Sequence, residues 1–86
     1  MRIAWVIEEH GGNEADVPTA DSAAEKLAEA VRTAYSDEDT TTLAHIMLNV
    51  VAPLRMQLVT DGRFEVEHGR TWEARNGSIL VTLSPN

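Results

Sequence analysis

Apolar residues recur at every second position near both ends of the chain and at every third or fourth position between them. That change of period limits the fold more than any other feature. A period of two places alternate side chains on one face of a strand, and a period near 3.6 places them on one stripe of a helix. In residues 1–8, Ile3, Trp5 and Ile7 alternate with Arg2, Ala4, Val6 and Glu8. Their β-branched and aromatic types suit a pleated strand. Ala4 and Val6 leave the second face only weakly polar, which predicts a central strand covered on both sides.

Residues 9–21 read as a long loop, because Gly11-Gly12-Asn13 and Pro18 break the alternation. A connection of this length in a small domain is either mobile or used for binding. A helix is expected over residues 22–35. Ser22 and Glu25 match a capping box, and Ala24, Leu27, Ala28, Val31 and then Ala34 or Tyr35 form one stripe. A second helix is expected to start after a Ser36 cap, with Asp37, Glu38 and Asp39 in its first turn, where the helix dipole favours negative charge.

The stripe of that second helix, Leu43, Met47, Val50, Val51, Leu54 and Leu58, runs straight through Pro53. Proline removes an amide donor and clashes with the preceding turn. Either the helix bends and continues to a stop near Gly62, or it ends near Val51 and Leu54, Met56 and Leu58 begin a strand that turns at Asp61-Gly62. The strand reading places Glu65 and Glu67 on the same face as Leu54, Met56 and Leu58, a mixture that a sheet with one buried face resists. The bent helix is therefore preferred.

After it, Phe64 with Val66, Trp72 with Ala74, and Ile79, Val81 with Leu83 alternate as three strands. A turn at His68-Gly69 separates the first two. The Asn76-Gly77 turn pairs Ala74 with Ile79 and Trp72 with Val81. The expected fold is α+β in the order β-α-α-β-β-β. It is one mainly antiparallel sheet of about four strands with two helices packed on one face, in a single domain spanning residues 1–86.

Charge is distributed unevenly. The net charge is −7, and residues 1–40 carry ten acidic and three basic residues while residues 41–86 carry four of each. That balance argues against direct binding of nucleic acid, which needs a Lys/Arg patch. The longest purely apolar run at the start, Ile3 to Ile7, falls far short of the ~20 residues of a membrane span. With no cysteine there is no disulfide and no thiolate metal site, and a cytoplasmic setting is expected. A second copy of the chain is the simplest remaining source of buried surface, so a homodimer is a candidate state.

No motif for catalysis, a metal or a cofactor is assembled. No histidine pair stands four apart on a helix, no serine sits in a nucleophile elbow, and Gly11-Gly12 is not followed by a phosphate-binding helix start. The expected function is that of a non-enzymatic interaction module or inhibitor with no cofactor. It would bind a protein partner with a basic surface through Glu8, Glu9, Glu14, Asp16, Glu25, Glu29, Asp37, Glu38 and Asp39, with Trp72 as an aromatic anchor if the sheet is left partly uncovered. Two alternatives stand beside it. One is an acidic mimic of nucleic acid, of the kind phages use against nucleases and defence complexes. The other is a small metal-binding or hydrolytic protein using Glu8, Glu9, His10 and His68.

Overall fold

The computed structural model describes residues 1–86 throughout. Strand β1 spans Arg2–Ile7 and strand β2 spans Gly11–Asp16. Helix α1 covers Ala20–Ala34, and helix α2 runs without interruption from Thr40–Glu67. Strands β3 (Trp72–Asn76) and β4 (Ile79–Ser84) complete one four-stranded sheet in the order β2-β1-β4-β3, antiparallel throughout. The fold is α+β, with four antiparallel strands and two helices, and three of the strands, β1, β3 and β4, are those that the periodicity predicts.

One strand lies elsewhere than the hydropathy pattern places it. The segment read as a loop contains β2, whereas Phe64 and Val66 are helical. Strand β2 carries no apolar alternation because it is an edge strand, held by backbone pairing with β1 across the Glu8-Glu9-His10 turn. Its Gly12 is required, since a Cβ there would overlap the Trp5 carbonyl oxygen. Val66 belongs to the buried stripe Leu54, Leu58, Gly62, Val66, which keeps a spacing of four. Glycine is invisible to a hydropathy pattern, so the continuation is easily lost at residue 62. At Gly62 α2 passes close to the sheet. A Cβ there would sit 3.1 Å from the Trp72 indole. The helix ends instead at Gly69, whose φ is +76°. The Gly69 amide bonds to the Val66 carbonyl and the Arg70 amide to the Glu65 carbonyl, a Schellman closure in place of the expected turn between strands.

Pro53 neither ends nor breaks α2. The turn before it, Met47–Val51, widens to i→i−5 bonding, as in the Ala52 amide to the Met47 carbonyl. The carbonyls at Asn49 and Val50 accept hydrogen bonds from Nδ2 of Asn76 on β3, at 3.3 and 3.2 Å. The acceptor that proline orphans is thus satisfied from the sheet. Asn76 can do this because the two-residue β3–β4 turn lies one residue later than the Asn-Gly signal suggests, which leaves Asn76 in the strand. Asn76 pairs with Ile79, Ala74 with Val81 and Trp72 with Leu83, leaving Gly77-Ser78 as the turn.

The core is one cluster. Ile3 and Ile7 of β1, Ile79, Val81 and Leu83 of β4, Leu27 and Val31 of α1, and Val51, Leu54 and Leu58 of α2 are all buried. Each such side chain contributes about 1.5–3 kcal/mol of transfer free energy. Ala20, Ala23, Ala24 and Ala28 are buried on α1, and their small side chains let that helix approach closely. Both helices cover the same sheet face. The other face is open, and β1 is central but not covered on both sides, since Val6 there is 52% exposed. Helix α2 has an 18-residue stretch of mean hydropathy 1.3, so by length and composition it could cross a membrane. Here its inner stripe packs on the sheet and on α1, while Leu48 and Met56 point outward.

The helix caps sit differently from the sequence reading. Thr19 caps α1, its side chain accepting from the Ser22 amide, so that helix starts before Ser22. Asp39 caps α2 by accepting from the Thr42 amide at 2.7 Å. Asp37 and Glu38 therefore precede the helix rather than forming its first turn.

Candidate functional site

Helix α1 packs against β1 and leaves the edge strand β2 largely exposed. Between α1 and β2 runs a groove of about 510 Å³, floored by Trp5 and Ala15 and walled on the helix side by Lys26, Glu29 and Thr33, with His10 closing one end. This volume falls in the range of about 300–1,000 Å³ typical of ligand sites. Trp5 is half-buried, so its indole is both core and groove floor.

The hydrogen-bond phase of β2 follows from its neighbours. The Met1 and Val17 backbones exchange bonds in both directions, so Ala15, Asn13 and Gly11 also turn their amides and carbonyls toward β1. Gly12, Glu14 and Asp16 then direct theirs outward, along the free edge. One of these outward donors is covered: the Glu14 amide bonds to Oδ1 of Asn13 at 2.8 Å. The side chains of Glu14 and Asp16 project from the open face of the sheet. There Arg2 bridges both, at 3.3 and 3.1 Å. The hydrogen bond that Arg2 donates to Asp16, with the negative charges of Asp16 and Glu14, raises the Arg2 guanidinium pKa above its ordinary value.

The remaining acidic residues fall into two groups. Glu8 and Glu9 occupy the β1–β2 turn, where Glu9 adopts a left-handed φ of +68°. Asp37, Glu38 and Asp39 lie at that same end of the sheet. The preceding Tyr35 stacks on His10 with ring centroids 4.5 Å apart, and its hydroxyl shares a hydrogen bond with Ser78. Glu25 and Glu29 stand on the exposed side of α1. The starts of the two helices are at opposite ends of the sheet, so Asp21 is remote from Asp37; Arg63 bridges it at 3.0 Å. The Thr42 amide holds the Asp39 carboxyl below the usual carboxylate range, and this residue acts as a cap.

No protein-family model, curated protein or solved structure matches this chain. The site is therefore read from its own chemistry.

Trp72, considered as an exposed anchor, lies on the helix-covered face against Gly62 and Leu83. His68 sits at the far end of α2, its Nδ1 2.8 Å from the Phe64 carbonyl oxygen, and His10 lies in the β1–β2 turn. The structure does not bring the two histidines together, and it holds no group of three His, Asp or Glu side chains arranged for a metal ion. Sequence reasoning missed Trp5, Asn13 and Lys26 as site residues. The available signal was Gly11-Gly12 directly after a strand, which permits a tight return of the backbone beside that strand.

Proposed function

We propose that this chain is a non-enzymatic interaction module that binds a protein partner with a basic surface through its acidic N-terminal half. One observation carries the reading. Within that half only Arg2, with Arg63 from α2, forms ion pairs with the carboxylates, and Glu8, Glu9, Glu25, Glu29, Asp37 and Glu38 form none. Structural ion pairing therefore does not account for them. Unpaired carboxylates beside an open edge strand and a groove set up a negative field that orients a cationic partner and speeds its encounter. Charge of this kind sets on-rate and specificity more than affinity, and apolar contacts in the groove would supply the remainder.

A pull-down from lysate at low and high salt, with mass spectrometry of the eluates, tests the reading. The expected result is retention of proteins with basic surfaces at low salt and their release as salt screens the field. Retention that is indifferent to salt, or retention of acidic proteins, contradicts it.

A further inference from the structure

We infer that the partner contributes an extended, lysine- or arginine-bearing segment that adds to the sheet as a fifth strand along β2, with one apolar side chain leaning into the Trp5 groove. The inference rests on the reading of an acidic interaction surface and gives it a docking mode.

Three independent features converge on this edge. The first is backbone supply. Gly12 and Asp16 offer outward amides and carbonyls, and Glu14 offers a carbonyl, at the residue spacing that an antiparallel strand needs. Edge strands are usually blunted by charged side chains, lysine above all, by proline or by a covering element. Strand β2 has the carboxylates of Glu14 and Asp16, which repel an acidic strand and attract a basic one, but it has no lysine or proline, and its residues are largely exposed. The second is the groove. Strand addition gains specificity when alternate side chains of the incoming segment find a pocket, and the half-buried Trp5 indole provides an apolar floor for one of them. The third is charge alternation. Residues of the added strand opposite Glu14 and Asp16 share their open face, where the two carboxylates share the single positive charge of Arg2 and leave a net negative charge for an incoming basic side chain, whereas the residues between them face the groove. A segment alternating basic and apolar residues therefore matches both sides at once.

A second copy of this chain fits the edge poorly. Antiparallel pairing of β2 with itself about Glu14 sets Glu14 opposite Glu14 of the other copy, and like charges directly opposite are unfavourable. The Asn13 side chain acts as a cover. Its bond to the Glu14 amide must open for the central donor to pair, so Asn13 weakens strand addition.

The test uses the full chain and the peptide acetyl-Lys-Val-Lys-Phe-Lys-Val-Lys-amide as probe, followed by amide NMR and calorimetry. The expected result is binding that shifts the amides of Gly12, Glu14 and Asp16 and the Trp5 indole. N-methylation of the two central lysines should weaken it at least ~10-fold, the equivalent of about 1.4 kcal/mol, and Asn13→Ala should strengthen it several-fold. Equal binding of the N-methylated peptide would overturn strand addition while leaving the acidic-surface reading intact. A dimer through β2, seen in solution scattering without peptide, would also overturn it. Failure of both peptides to bind at low salt would remove the two together.

Discussion

Individual residues carry the clearest consequences. Glu9 occupies a left-handed conformation in the β1–β2 turn, which costs a non-glycine residue about 1–2 kcal/mol. Asparagine tolerates that region, so Glu9→Asn is expected to raise unfolding free energy by about 0.5 kcal/mol or more in urea titrations. At Gly62 a methyl group would press on the Trp72 indole at 3.1 Å. Overpacking of that kind costs about 1–3 kcal/mol against a helix-propensity gain of about 1 kcal/mol. Gly62→Ala should therefore lower stability and perturb tryptophan fluorescence.

Acid sensitivity also belongs to single residues. The Thr42 amide lowers the Asp39 carboxyl, and the hydrogen bond from Arg70 lowers Glu65. Both folded values lie below the unfolded ones. Their stabilising contribution is therefore complete above the ordinary carboxylate range and is lost as pH falls through the lowered values. Asp39→Asn retains a capping side chain and removes one titrating group, so its acid-unfolding curve should be flatter than that of the parent. A curve of unchanged slope would count against this role.

At the level of elements, α2 shows what a sequence can and cannot reveal. Its stripe is legible through Pro53, because the apolar spacing on either side stays in phase. The partner that makes the proline tolerable is not legible, since Asn76 lies on another strand and looks like a turn residue. Replacing Asn76 with Ala should leave the Asn49 carbonyl, whose helical donor Pro53 removes, without its partner, at a cost of about 1 kcal/mol. Pro53→Ala restores an amide donor on α2, so the penalty for losing Asn76 should shrink in that background, and a double-mutant cycle measures the coupling. Strand β1, helix α1 and the last two strands were readable from periodicity alone. Strand β2 was not, because an edge strand with glycine and carboxylates owes its place to backbone pairing rather than to burial. The groove was hidden for the same reason: its floor, Trp5, reads as core, and its outer wall is the strand that periodicity cannot find.

The whole molecule combines two unequal surfaces. The outer side of α2 exposes Leu48 at 72% and Met56 at 65%, apart from the core. Leu48→Gln and Met56→Gln together should shift unfolding free energy by no more than about 0.5 kcal/mol each, as for other surface substitutions. The side formed by α1, the β1–β2 turn and the segment before α2 carries the unpaired carboxylates. Across this surface the net charge acts as a field rather than as a set of bonds, so its effect should follow ionic strength. The most direct test is calorimetric titration of the Lys-Val-Lys-Phe-Lys-Val-Lys peptide into the parent chain, and into a variant combining Glu25→Lys, Glu29→Lys, Asp37→Lys and Glu38→Lys, each at low and high salt. The acidic-surface account predicts binding to the parent that weakens at least ~10-fold in the variant and falls steeply with salt. Equal affinity of parent and variant at low salt would contradict it.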